Sequence, residues 1–435
     1  MSKEQDSLQP KRRRVFGLDG QTPHFEESSR LLRGWFVLYR EPMIRDESIT
    51  YFAETDARGK HVSFGIRHGD RRFHMAIVGR TGMGKSTLME TLIAADIAAG
   101  AGFALLDPHG DTAEKIVALI PPSRSTDLVY FNPSDPNNAM GLNILEPAGT
   151  EKHLVVSGVI GLFKKIWEDS WGPRMEHLFR YALTALVEVE GTTLGDVPRI
   201  LLDKEYRARI VSQVQDVVVR DFWKNEYERY ALQFRLQAIS PILNKAGSYL
   251  VNQQIRNVVT KKQSDFDLRQ IMDEGKIFIA NLSKGKLGED GSALIGALLS
   301  TKFELAGLSR ATIPIENRRD FWLYVDEFPS IAGPSFSGML SESRKYGLGL
   351  VLVMQYIDQL EDDVRNALFE NAGTLSVFRV GPESARYLAS QFEPLLSKED
   401  LMNLGRYNFY IRLMINGVPS PPFSARTLPP PEIAA

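Results

Sequence analysis

Eight consecutive residues carry the strongest chemistry in the chain. Gly79-Arg80-Thr81-Gly82-Met83-Gly84-Lys85-Ser86 fits G-x-x-x-x-G-K-[ST] at every specified position. Glycines let backbone N–H groups curl around a phosphate with no Cβ in the way. A helix beginning near Gly84 aims its positive end at the same point. In such a loop Lys85 reaches the β- and γ-phosphates, and the Ser86 hydroxyl ligates Mg²⁺. The expected nucleotide-binding set is therefore Gly79, Thr81, Gly82, Met83, Gly84, Lys85, Ser86 and Thr87. The implied cofactors are ATP and Mg²⁺.

A second stretch, Phe321-Trp322-Leu323-Tyr324-Val325-Asp326-Glu327, is an apolar run ending in two acids. Alone, two acids at a strand end are more often solvated than functional. Downstream of a phosphate loop they have assigned work. Asp326 holds the magnesium shell, usually through water, and Glu327 polarises the attacking water as general base. The adjacent Glu favours ATPases of the additional-strand type over small-molecule kinases and GTPases.

Other polar residues have weaker claims. Gln355 follows the run GLVLVM, where a strand's C-terminal end faces the ligand crevice of an open α/β sheet. It is either a γ-phosphate sensor or a loop glutamine. Arg344, in SESRKYG, is either a surface arginine or a finger that completes a neighbouring subunit's site. Arg379 is a second candidate interface cation. Asp107-Pro108-His109 would lie on the crevice side, as a structured turn or with His109 on a metal; the seven histidines form no ligand pattern.

These groups need a scaffold that brings them to one edge. Short apolar runs at 74–79, 103–107, 128–132, 276–282, 321–327, 349–354 and 374–380 alternate with helical periodicity, beginning at 86–99. That alternation predicts an α/β fold with a mostly parallel sheet. Residues 47–70 read as a β-hairpin leading into it. From 145 to 265 the strands stop and an all-α insertion is expected, punctuated by Pro173, Pro198 and Pro241. The expected division is a polar tail at 1–30, the first part of the ATPase domain at 31–144, the insertion at 145–265, the second part at 266–426 and an extended tail at 427–435. Residues 31–40 read as a strand or short helix packed on the main domain.

Composition bounds the rest. With 52 basic and 54 acidic side chains among 435 residues, net charge announces no nucleic-acid partner. A few basic loops lining a pore would not register in it. The absence of cysteine excludes disulfides, zinc–thiolate sites and cysteine nucleophiles. No run approaches the roughly 18–20 apolar residues of a membrane helix. The basic cluster Lys11-Arg12-Arg13-Arg14 has no apolar stretch behind it and is not a secretory signal. It reads as a solvated tail or, more sharply, as a contact for phosphate or a membrane surface.

In order, VGRTGMGKSTL, ALLDPHGD, LYVDEFPSIAG, LSESRKYGLGLVLVMQY and FRVGPESA resemble the coupling-protein ATPases of conjugation and type IV secretion. This is the VirD4/TraG/TraD group, within the HerA/FtsK class of DNA-pumping motors. The resemblance spans roughly residues 50–426. It implies a RecA-like P-loop NTPase of the additional-strand class with an inserted all-α domain at the mouth of a ring. It makes Lys85 and Ser86 the Walker A pair, Asp326 and Glu327 the Walker B pair, Gln355 the motif III glutamine and Arg344 the arginine finger. It implies a hexamer, DNA bound without sequence preference, and a relaxase or secretion-channel partner. Lys284, Lys286, Lys261 and Lys262 are candidate DNA-gripping cations, each equally readable as a solvated charge. Many such proteins carry N-terminal membrane helices, which this sequence lacks. The expectation is therefore a cytoplasmic protein, docked on the membrane's inner face, if at all, through partners. Two other readings share the residues: a DNA-processing or genome-packaging motor, and a nucleotide-switched substrate receptor that does not translocate.

Overall fold

The computed structural model describes residues 48–56, 61–137 and 140–429. The readings of 1–30 and 31–40, and of the tail from 430, lie outside the described residues.

The fold is built on one eleven-stranded sheet. Its strands are β1 (Ile49–Thr55), β2 (Ser63–Arg67), β3 (Met75–Val78), β4 (Gly102–Asp107), β5 (Leu128–Phe131), β6 (Ile277–Asn281), β7 (Phe321–Val325), β8 (Leu348–Met354), β9 (Thr374–Val377), β10 (Asn408–Arg412) and, after a small separate pair β11 (Met414–Ile415) and β12 (Val418–Pro419), β13 (Phe423–Thr427). Their order across the sheet is β2-β1-β13-β10-β9-β3-β8-β7-β4-β6-β5. From β9 to β5 every pairing is parallel. From β2 to β9 every pairing is antiparallel.

The parallel strands are continuous apolar runs because both of their faces are buried. Alternation sorts their side chains. Ala76, Val78, Ala104, Leu106, Leu323, Val325, Leu350 and Leu352 join one core; Met75, Ile77, Phe103, Leu105, Trp322, Tyr324, Val351 and Val353 join the other. The helix Lys85–Ala98 covers the second face with Leu88, Met89, Leu92 and Ile93. The long helix Glu289–Ser309 and the helical stretch cover the first, so Val159, Phe179 and Trp223 belong to one cluster with the sheet.

No strand interrupts the described chain between Phe131 and Ile277. Pro173 and Pro198 sit in the first turns of their helices, where the missing N–H has no intrahelical partner to lose. Pro241 departs from the expectation. It lies inside the unbroken helix Leu232–Val251, flanked by the buried Ala238, Ile239 and Ile242. Packing of that apolar stripe offsets the lost backbone bond. A second departure is β13, a paired strand that runs to Thr427, the first residue of the expected extended tail.

Under the second face lies a buried polar knot. Arg71 donates to both carboxylate oxygens of Asp96, at 2.5 and 2.9 Å, and to the Tyr324 hydroxyl at 2.8 Å. Tyr324 in turn donates to Asp96. Asp96 is fully buried, so cutting it away strands a charged guanidinium. Asp96→Ala is expected to cost about 3–5 kcal/mol of stability, read as a shift in denaturant midpoint. A loss under 1 kcal/mol would mean that the knot is dispensable.

Among the described residues, no helix is long and apolar enough to cross a membrane.

Candidate functional site

β3 ends at Val78 and the chain turns through the glycine-rich loop into the helix Lys85–Ala98. The loop needs its glycines for two separate reasons. Gly82 and Gly84 have φ of 76° and 114°, in the left-handed region that disfavours side chains. At Gly79 the problem is space, since a Cβ there would lie 2.5 Å from the Cβ of Phe378. The Gly79 amide donates to the Met354 carbonyl at 3.1 Å, anchoring the loop to the end of β8.

A cavity of about 210 Å³ opens above this loop. Thr81, Gly82, Gly84, Lys85, Ser86 and Thr87 line one side; Asp326, Glu327, Gln355 and His109 line another. Gly79 and Met83 support the loop from outside the lining, Met83 through its carbonyl, which accepts from the Tyr407 amide at 2.8 Å. A larger cavity, about 730 Å³, lies beside the segment after Glu327. None of its lining comes from the glycine-rich loop, so the smaller cavity is the candidate site.

Lys85 is buried, and its Nζ donates to the Arg80 carbonyl at 3.2 Å. Burial pulls its pKa down, while the charges of Glu327 and Asp326 hold it up. Asp326 shows the converse. Burial, then the neighbouring Asp107 charge, raises its carboxyl to about 6, with Glu327 adding to the crowding. Such a cluster of acids favours cations, of which Lys85 is one. Among the described residues no three carboxylates or histidines converge as a metal cage. Magnesium needs none, because it takes one or two protein ligands and the remainder from phosphate and water. Ser86 and Asp326, on opposite walls, fit that pattern.

Glu327 is, with Tyr407, one of two non-glycine cavity residues whose backbone is left-handed. Its backbone sits at φ 44°, ψ 49°, a left-handed conformation unusual for a long side chain. Its amide donates to Asp326 Oδ1 at 2.9 Å, and the following turn, Phe328–Ser330, fixes the bend. The carboxylate lies 3.6 Å from His109 Nε2 and accepts from the Gln355 amide. Gln355 Oε1 accepts from the Thr81 hydroxyl at 2.7 Å. Gln355 therefore bridges the phosphate loop and the acid that would activate water.

Asp107 is structural. Its two carboxylate oxygens accept the amides of His109 and Ala113, both at 2.8 Å, capping the turn into the helix Asp111–Leu119. That turn carries His109 into the cavity.

Arg344 is elsewhere. It lies in the turn Ser343–Tyr346, with its guanidinium 3.4 Å from the ring centroid of Phe73. Phe73 precedes β3, whereas the phosphate loop follows it, so the two sites are at opposite ends of the strand. Four strand residues span roughly 13 Å. His74, next to Phe73, lies at the same end. Its Nδ1 accepts from the Leu350 amide at 3.1 Å. Burial pushes its imidazole down to about 4, a hydrogen bond with the Leu340 backbone opposes this, and the Arg344 charge adds to it. Arg379 is half-buried in the chain after β9 and does not line the cavity.

The candidate DNA-gripping lysines differ in their surroundings. Lys261 pairs with Asp265 at 2.7 Å. Lys262 gives its carbonyl to Asn143. Lys284 and Lys286 lie on a short helix whose first amide bonds the Pro108 carbonyl, on the crevice side of the sheet.

Sequence reasoning missed two residues that the fold adds to the cavity, Arg406 and Tyr407. They lie more than three hundred residues from the phosphate loop, in a turn with no motif; Gly405 is the sole local signal.

Residues 60–404 match the family described as type IV secretion-system coupling protein DNA-binding domain. Among solved structures, the bacterial conjugative coupling protein TrwBΔN70 superposes with a TM-score of 0.56 at 18% identity, covering 90% of this chain and 91% of that one. TrwB in complex with ADP and Mg²⁺ gives 0.58 at 18% identity over the same shares. VirB4 of Thermoanaerobacter pseudethanolicus gives 0.57 at 13%, covering 89% of this chain and 98% of that one. At these identities the likeness is one of fold: a large, mostly parallel P-loop NTPase sheet. No curated protein matches the chain.

Proposed function

This chain belongs to the type IV secretion-system coupling-protein family, and from that premise we propose that it is a magnesium-dependent ATPase that moves DNA through a ring of its own copies. One observation carries the reading: Lys85, Ser86, Asp326, Glu327 and Gln355, drawn from three strand ends, line a single cavity.

Each residue has a role in that chemistry. The loop amides and Lys85 hold the phosphates. Ser86 and Asp326 would hold magnesium, which would supply charge to offset that of the phosphates. Glu327 takes the proton of the attacking water. Gln355 tests whether the terminal phosphate is present, because it touches both Thr81 and Glu327. TrwB has been captured with ADP and Mg²⁺, which supports the same occupants here. Arg344 points away from its own site and would serve the next subunit's, as in a hexamer. The helical segment 145–265 would face incoming DNA, set between ATPase segments 31–144 and 266–426. Lys284 and Lys286 would grip phosphates without sequence preference, making binding salt-sensitive. A relaxase or channel partner would bring the ring to the membrane's inner face.

Steady-state ATPase assays with and without DNA, across protein concentration, test the proposal. Expected are turnover that rises cooperatively with protein, stimulation by DNA of unrelated sequences, and loss of stimulation at high salt. Turnover that ignores both DNA and concentration would sink the translocase and leave the nucleotide-switched receptor.

A further inference from the structure

Gly405 to Asn408 form a tight turn, closed by an Asn408 amide bond to the Gly405 carbonyl at 3.3 Å. It presents Arg406 and Tyr407 at the start of β10, and both line the phosphate-loop cavity. Tyr407 is held rigidly. Its amide donates to the Met83 carbonyl at 2.8 Å, and its own carbonyl accepts from the Thr427 amide at 3.0 Å. Its backbone has φ 66°, and its ring closes on the loop so tightly that a Cβ on Gly84 would lie 2.8 Å from Tyr407 Cδ1. The Arg406 guanidinium stacks 4.7 Å above the ring centroid. Arg406 is exposed, with no carboxylate partner among the described residues.

Sheet order fixes the side from which this cation approaches. β8 and β7, which carry Gln355 and the Asp326–Glu327 pair, flank β3 on one side; β9 and then β10 flank it on the other. Groups that act on the terminal phosphate come from the first side. A cation on the far side meets the other end of a nucleotide laid along the loop. We propose that Arg406, stacked on Tyr407, is a nucleotide-binding residue acting within its own subunit, contacting the α-phosphate and ribose end rather than the γ-phosphate. This rests on the ATPase reading and deepens it. Arg406 and Arg344 would then be distinct cations, one tethering the nucleotide from within the subunit and the other completing catalysis from outside it. Tyr407 is a positioning residue, which supplies the stacking face and braces the loop.

The test is titration of the full chain with fluorescent ADP and with a non-hydrolysable ATP analogue, each with Mg²⁺, alongside steady-state turnover. Arg406→Ala is expected to raise Kd for both nucleotides by a similar factor, on the order of ten, as for a lost charge-assisted hydrogen bond. At saturating ATP its kcat should stay within about threefold. Arg406→Lys should recover part of the affinity, since it keeps the charge but loses the planar stack. Tyr407→Phe keeps the ring and should bind more tightly than Tyr407→Leu, which should resemble Arg406→Ala. Unchanged affinity in Arg406→Ala overturns the proposal alone, provided that wild type binds and Lys85→Ala does not. Weakening confined to the ATP analogue also overturns it, by placing the cation at the γ-phosphate. Failure of wild type to bind either nucleotide would remove the ATPase reading as well.

Discussion

Glu327→Gln is expected to lower ATP turnover by about 10²–10⁴-fold while leaving nucleotide affinity within a few-fold of wild type. The substitution removes the base and little else. A glutamine at 327 keeps an oxygen to accept from the Gln355 amide, keeps the length of the side chain and keeps the contact that holds Thr81. It also relieves the crowding that raises Asp326, because one of the contributing charges disappears. The strained backbone supplies a control. At φ 44° a glycine fits better than an alanine, so Glu327→Gly should fold at least as well as Glu327→Ala, while both are inactive. Turnover and binding measured on the same preparations decide the matter. Glu327→Gln turnover above a tenth of wild type would mean that another group activates the water, with His109, 3.6 Å from that carboxylate, the first to examine.

Arg344→Ala is expected to lower turnover by about 10³–10⁵-fold, for a reason located in a different copy of the protein. Its guanidinium lies against Phe73, at the end of β3 remote from the phosphate loop. It cannot serve the site of its own chain. The decisive experiment is mixing. Lys85→Ala subunits have an intact finger and a dead loop; Arg344→Ala subunits have the reverse. Mixed one to one, about a quarter of head-to-tail interfaces would pair a working loop with a working finger. Turnover should return when two inert proteins are combined. Arg344→Lys separates catalysis from packing: it retains a cation over Phe73 but not the planar fork. If Arg344→Ala alone turns over normally, the residue is a surface cation stacked on an aromatic ring. A mixture that remains inert, beside an inert Arg344→Ala, would place the defect within the subunit.

The sequence was informative where one stretch of chain contains the whole physical cause. β3, β4, β6, β7 and β8 are buried on both faces, so each appears as an uninterrupted apolar run. The phosphate loop was legible because glycine, lysine and hydroxyl must be close neighbours in the chain to act together. β10 and β13 were not, because they are half-buried: Asn408–Arg412 alternates buried and partly buried residues, and Phe423–Thr427 follows two prolines. Arg406 and Tyr407 depend on those strands, so their place beside Gly84 had no local signature. Pro241 misled for a related reason. A proline's effect on a helix is set by what packs against the neighbouring turns, here Ile239 and Ile242, and that comes from distant chain. Arg344 was named from its motif, but its orientation away from the home site depended on Phe73 and His74, in the turn before β3 and about 270 residues away in the chain.

The tie between the Met83 carbonyl, Tyr407 and the Thr427 amide has a consequence for how the protein is made. The loop that grips phosphate is synthesised early, yet the turn that braces it and the strand that fixes the turn emerge more than three hundred residues later. At about 5–20 residues per second, the interval is roughly twenty seconds to a minute. During that time the nascent chain carries an unbraced nucleotide loop and an open edge at β9, where β10 will dock. An unfinished subunit therefore has the sequence of an ATPase without its grip. A ribosome-bound chain halted before residue 407 should fail to retain nucleotide, so commitment to fuel waits until the turn at Tyr407 and the strand that ends at Thr427 have emerged.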